Sequence, residues 1–160
     1  MDVAAYLIQY GLIFIFLFGF LEQLNIPGFS GGVMFPVMGA VAASAGLEIV
    51  EMISLSILAG LLGSSVVYLL GRARGEHVVG FLKRRIPVAG DKIDRVTERM
   101  QKGYAGLLLL TLTPVVRTMV ALPAGMTRMK YGGYLLCVFF GIAMWNIALM
   151  GGGYLLASAI

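Results

Sequence analysis

The sequence predicts an all-α polytopic integral membrane protein with two opposed re-entrant hairpins arranged as an inverted repeat. Three observations predict it. Of the 160 residues, 59% are apolar and only 12% are charged, about half the roughly 25% charge of soluble domains. Mean hydropathy is +0.92, and a domain this small cannot hide that much apolar surface in one core. The charges that do occur are gathered in one stretch between apolar runs. Finally, two Pro/Gly-broken segments recur at matching places in the two halves. Together these exclude an ordinary soluble globule, a disordered chain and a disulfide-stapled module. One cysteine, Cys137, and one histidine, His77, exclude an intramolecular disulfide and cysteine-built or multi-histidine metal sites. No metal and no cofactor are expected.

The first apolar span runs from Ala4 to Leu21 with Gln9 as its polar break. It is just long enough to cross a bilayer, which takes about 20 residues. A signal peptide fits poorly, because no basic region precedes the span and Glu22 follows it directly. The second span, Ile26 to Leu47, is long enough but holds Pro27, Gly28, Gly31, Gly32 and Pro36. Proline removes a backbone donor and glycine loosens the chain. Broken backbone survives in lipid only inside protein or along a wet cavity. A re-entrant hairpin from Pro27 to Pro36 is therefore expected. The third span, Met52 to Leu70, carries no charge.

A basic loop, residues 72–102, divides the first half of the chain (4–71) from the second (103–160), all within a single transmembrane domain. It holds nine of the twelve basic residues and four acids. The positive-inside bias places it in the cytoplasm and the Gly46–Glu51 turn outside. A solvated, salt-bridged helical loop and a surface for anionic headgroups both fit this composition. A nucleic-acid partner does not, since aromatic interleaving is sparse and apolar spans flank the stretch.

Beyond the loop, Tyr104 to Met129 is broken by Pro114, Arg117, Pro123 and Gly125, and a second hairpin is expected there. The last span, Gly133 to Ala159, is uncharged. Pro27 and Pro36 are nine apart, as are Pro114 and Pro123, at an offset of 87. Tyr68-Leu69-Leu70 and Tyr154-Leu155-Leu156 close the third and last spans. If the third span runs inward, the last runs outward and the repeat is inverted. Secondary transporters are often built this way, with substrate at the junction of two interrupted segments.

Glu22 and Arg117 stand outside the basic loop amid apolar sequence. A charge at a helix centre costs roughly 2.5–3.5 kcal/mol to insert, so it usually faces a cavity or a partner. An interfacial Glu22 in water and a snorkelling Arg117 are the plain alternatives. On the functional reading the hairpins place both charges in one polar pocket. Arg117 binds a phosphate with its planar fork, and Glu22 carries a proton or balances the arginine. Ser30, Thr111, Thr113, Asn25 and Asn146 complete the lining. Phosphate loops, nucleophile elbows and zinc helix motifs are absent from the sequence, so an enzyme is not expected.

The chain resembles the DedA family, also called the SNARE-associated or VTT-domain family. The likeness covers nearly its whole length: Glu22 before Pro27-Gly28, then Pro36 and Gly39-Ala40. It continues through Gly63, Tyr68-Leu69-Leu70-Gly71-Arg72, Gly75 and Lys102-Gly103. Pro114-Val115-Val116-Arg117 with Ala124-Gly125-Met126 is its most specific part, followed by Trp145 and Gly153-Tyr154. The resemblance implies a multi-pass cell-membrane protein with opposed re-entrant hairpins. It implies movement of lipid between leaflets as a flippase or scramblase, with undecaprenyl phosphate or a phospholipid as cargo. It also implies a second acid where this chain has Gly32, and a further Arg where it has Thr111. The expected partner is thus a membrane lipid with an anionic headgroup, and a homo-oligomer stays open. A proton-driven solute carrier and a non-transporting assembly subunit are the rival readings.

Overall fold

The computed structural model describes residues 3–24, 31–85, 95–98, 100, 103–113 and 117–159. Every regular element among them is helical: α1 (Val3–Gln23), α2 (Gly31–Ala45), α3 (Ile49–Arg85), α4 (Tyr104–Thr111), a 3-10 turn (Arg117–Met119), α5 (Ala121–Met126) and α6 (Tyr131–Ser158). Among the described residues, two helices are long and apolar enough to cross a membrane, Ile49–Gly75 and Tyr131–Ser158. Tyr10–Gln23 and Gly31–Ala45 form shorter apolar helices.

The chain divides into two compact units. The first comprises Met1–Gly63 and Ile142–Ile160, the second Ser64–Gly141. Both long helices therefore contribute a segment to each unit. The core of the first unit gathers Ile15 and Phe18 of α1, Phe35, Met38 and Ala42 of α2, Met52 of α3 and Met150 of α6. Phe18 meets Phe35 edge-on at 5.8 Å, a geometry that suits the ring quadrupoles. Away from this core the helices turn apolar side chains outward. Val33, Val37 and Val41 on α2, Leu58 and Leu62 on α3, and Leu136, Phe140 and Ile147 on α6 are all exposed. Soluble monomers rarely leave apolar patches of this kind uncovered, whereas acyl chains cover them without cost.

The sequence expectations and the structure differ at three places. Pro36, expected at the end of a hairpin, lies inside α2. Its missing N–H leaves the backbone of that helix one bond short, and the Pro36 carbonyl faces the backbone of α6 at Gly153. Pro123 likewise lies in the first turn of α5, where a helix has no intrahelical use for an N–H. Third, α3 does not stop at Leu70 but continues to Arg85, with non-helical dihedrals at Arg74. Gly71 and Gly75 within this continuation lie against Leu122 and Met126, so the α5 contact holds the segment in shape. The turns of the two expected hairpins, residues 25–30 and 114–116, lie outside the described residues. Gly46, in the turn expected outside the cell, closes α2 with φ of 65°. The Leu47 amide reaches back to the Ala42 carbonyl at 2.9 Å, the bond that ends a helix on a left-handed glycine.

One packing arrangement occurs in both units. In the first, a Cβ on Gly39 would strike the Met150 carbonyl and approach the Tyr154 amide, and one on Gly153 would strike the Pro36 carbonyl. In the second, a Cβ on Gly125 would strike the Tyr68 carbonyl and approach the Arg72 amide, and one on Gly71 would strike the Leu122 carbonyl. Each crossing thus puts a glycine of a short helix between a carbonyl and the amide four residues on in a long helix. Gly39 corresponds to Gly125, and Gly153 to Gly71. The matching residue of Tyr68 is therefore Met150, not the Tyr154 suggested by the two Tyr-Leu-Leu runs.

Candidate functional site

The polar residues of the first unit are drawn from three helices. Glu22 and Gln23 end α1 and are 7% and 3% exposed. The Glu22 carboxylate occupies the space that a Cβ on Gly31 would need, at the start of α2. A helix start presents unpaired amides and a partial positive charge, so an anion there is stabilised. Asn146 of α6 and Ser56 of α3 are both buried. The Asn146 amide nitrogen donates to the Ser56 hydroxyl at 2.9 Å, and that hydroxyl donates to the Ile53 carbonyl at 2.7 Å. Asn146 Oδ1 is buried without a hydrogen-bond partner. The Gln23 amide nitrogen lies 3.5 Å from where a Cβ on Gly60 would sit, one helical turn beyond Ser56.

The second unit holds the buried cation. Arg117 opens the 3-10 turn and is 8% exposed, and its backbone N–H donates to the Thr113 carbonyl at 3.0 Å. The buried apolar residues Val120, Ala121 and Leu122 follow it after Thr118 and Met119. So neither Glu22 nor Arg117 is the solvent-facing residue that the plain alternatives require.

The other expected lining residues fare differently. Thr111 is buried at the end of α4, and its hydroxyl goes to the Leu108 carbonyl at 2.7 Å and the Cys137 carbonyl at 3.4 Å. Thr113 is exposed and bonds back to the Leu109 carbonyl at 3.2 Å. These bonds tie both threonines to backbone. Gly32 is exposed on α2. Asn25, Pro27, Gly28, Ser30 and Pro114 lie outside the described residues. Gly125 serves the α3 crossing described above.

The sequence reading missed several buried polar groups. Gln23 and Ser56 belong to the first unit. In the second, Ser64 bonds the Tyr134 hydroxyl, and Tyr134 stacks on Tyr68 with ring centres 4.6 Å apart. A serine in an uncharged span was the available signal for Ser56 and Ser64, since hydroxyls and amides tie helices together in lipid.

Comparison with known proteins decides the lineage. The family model of the VTT domain matches residues 3–155. The chain belongs to the VTT-domain family. It is therefore a membrane protein of that family. Protein DedA of Escherichia coli K12 is 26% identical over 148 residues, which is 91% of this chain and 67% of that protein. An alkaline phosphatase-like protein of Lactococcus lactis subsp. cremoris is 28% identical over 113 residues, 67% of this chain and 53% of that protein. A counterpart in Lactococcus lactis subsp. lactis is 28% identical over 110 residues. The chain thus spans about half the length of these lactococcal relatives. No solved structure matches this VTT-domain chain.

Proposed function

We propose that this VTT-domain chain moves an anionic lipid, undecaprenyl phosphate or a phospholipid, between membrane leaflets without covalent chemistry. The observation that carries the reading is the burial of Arg117, 8% exposed within an interrupted segment of an apolar unit. An arginine is kept in such a place at a cost of several kcal/mol, and its fork fits a phosphate in two parallel bonds. Glu22 of the first unit, equally buried at the end of α1 with its carboxylate against the start of α2, is the other charge kept in apolar surroundings. On this reading the arriving phosphate is the anion that Arg117 serves, held in its planar fork. Opposed hairpins in an inverted repeat would open the headgroup site to each leaflet in turn while the acyl chains stay in lipid. The recurrence of one glycine crossing in both units supports such a repeat.

A second reading has support of its own. At the places where the resemblance implies a further Arg and a further acid, this chain has Thr111 and Gly32. Thr111 is packed against Gly141, with its hydroxyl bonded to backbone. A subunit that assembles with others but transports nothing would tolerate that loss.

Leaflet exchange in liposomes separates the two. Purified chain is reconstituted with fluorescent undecaprenyl phosphate, an anionic phospholipid or a zwitterionic one. Exchange of anionic lipid that is lost in Arg117→Ala supports transport. Exchange no faster than in protein-free liposomes for every lipid would favour the assembly subunit.

A further inference from the structure

We propose a second anion site in the second unit, built on Arg72, Arg74 and Arg128, which receives the phosphate of a lipid headgroup where α3 leaves its apolar span. A cavity of about 310 Å³ lies there, lined by Gly71, Arg72, Arg74, Gly75, His77 and Arg128 with Ala73 and Met126. Three arginines and a histidine line one space, and no acidic residue is among its described lining residues. Like charges repel across such a space, so an anion bound there is favoured by all of them at once.

The surroundings hold these groups in place. Arg72 donates to the Tyr68 hydroxyl at 3.3 Å. Tyr68 is in turn 1% exposed, stacked on Tyr134 and bonded through its hydroxyl to the Met129 carbonyl. Arg72 is thus anchored through a buried ring. Arg74 occupies the one break in α3, with φ of −143° and ψ of 27°, which takes its side chain out of the helical register. Arg128 has φ of 50°, left-handed backbone that costs a non-glycine residue of order 1 kcal/mol and is concentrated at functional sites. Gly71 and Gly75 let α5 approach closely enough for Arg128 to share the space with Arg72 and Arg74. The apolar stretch of α3 ends at Gly75, so the cavity lies at the boundary that a headgroup occupies. The site differs from the Arg117 anchor in residues and in depth: its arginines are exposed, whereas Arg117 is buried.

The test is equilibrium binding of dioctanoyl phosphatidic acid to the full chain in a phosphate-free maltoside detergent. Dioctanoyl phosphatidylcholine and inorganic phosphate serve as the other arms. Arg74→Gln with Arg128→Gly removes two charges while giving position 128 a residue suited to its backbone. This pair should weaken phosphatidic acid binding at least about tenfold, the worth of one charge-assisted bond, with thermal unfolding not lowered. Lys83→Gln with Arg85→Gln removes equal charge from the end of α3 and should bind as wild type. Phosphate that displaces the lipid assigns the site to the phosphate group alone. Phosphate that fails to displace it assigns the site to the lipid headgroup. Either supports the site. Equal loss in both double variants would show only diffuse attraction by the basic loop and overturn it. So would unchanged affinity in Arg74→Gln/Arg128→Gly, or phosphatidylcholine binding as tightly as phosphatidic acid. The same titration on Arg117→Ala should leave a binding event that the pair again weakens about tenfold, so this site and the Arg117 anchor can fail separately.

Discussion

The Asn146 side chain and the Ser56 hydroxyl form a buried hydrogen bond of 2.9 Å between α6 and α3, ninety residues apart in sequence. Within the first unit this pair ties the two helices at one rotation about their axes, as the Ser64–Tyr134 bond does in the second. Asn146 was expected to line a polar pocket. One N–H of its amide holds two helices together, and Oδ1 is buried without a hydrogen-bond partner.

A double-mutant cycle on this pair should give a coupling of about 0.5–1.5 kcal/mol, the range for interhelical bonds in lipid. Ser56→Ala and Asn146→Ala are compared singly and together by unfolding in detergent. Additive losses would show that the bond contributes nothing to stability.

Neighbouring glycines of α6 should respond in opposite directions. Gly151 has open space where a Cβ would go, whereas Gly153 abuts the Pro36 carbonyl. Gly151→Ala should gain up to about 1 kcal/mol from helix propensity. Gly153→Ala should lose roughly 1–3 kcal/mol by overpacking. Thermal unfolding of the two variants reads this directly, and equal shifts would mean the crossing yields to a methyl group.

Arg117 variants should fall in a fixed order of leaflet-exchange rate. Arg117→Lys keeps the charge but loses the fork, so it should be slowed. Arg117→Ala should be inactive. Glu22→Gln removes a buried charge outside the phosphate fork, so it should still bind lipid. Wild-type exchange by Arg117→Ala at normal expression would remove the anchor from the mechanism.

Cysteine labelling checks the topology. In a Cys137→Ser background, a membrane-impermeant thiol reagent should modify Glu48→Cys in intact cells but leave Glu98→Cys untouched. Both native positions are exposed, so access depends on the side of the membrane alone. The opposite labelling would reverse the orientation inferred from the nine basic residues between Arg72 and Lys102.

Much of the architecture was legible because hydropathy reports lipid contact directly. The uncharged runs behind α3 and α6 became the two long helices, and the buried charges Glu22 and Arg117 stood out as lone polar residues in apolar sequence. The paired glycine crossings were not legible. Leu69, Leu70, Leu155 and Leu156 all face outward, so the Tyr-Leu-Leu runs record shared exposure rather than matched packing. The matched positions are glycines, which say nothing in a chain that has 22 of them. Ser56 escaped notice for a similar reason: one hydroxyl leaves a hydropathy profile unchanged. Pro36 misled because its local effect on a helix is to break it, yet the surrounding contacts keep α2 intact around it.

The paired glycine crossings limit how either unit can deform. Where Gly39 and Gly153 meet, two backbones touch without intervening side chains, and a carbonyl and an amide bracket the point of contact. Sliding one helix along the other by a turn would bring a β-carbon into that gap and lift the pair apart. Pivoting about the contact moves no atom into it. The same holds at Gly71 and Gly125. Each unit therefore has a fulcrum rather than a piston, and its soft motion is a rocking of the short helix across the long one.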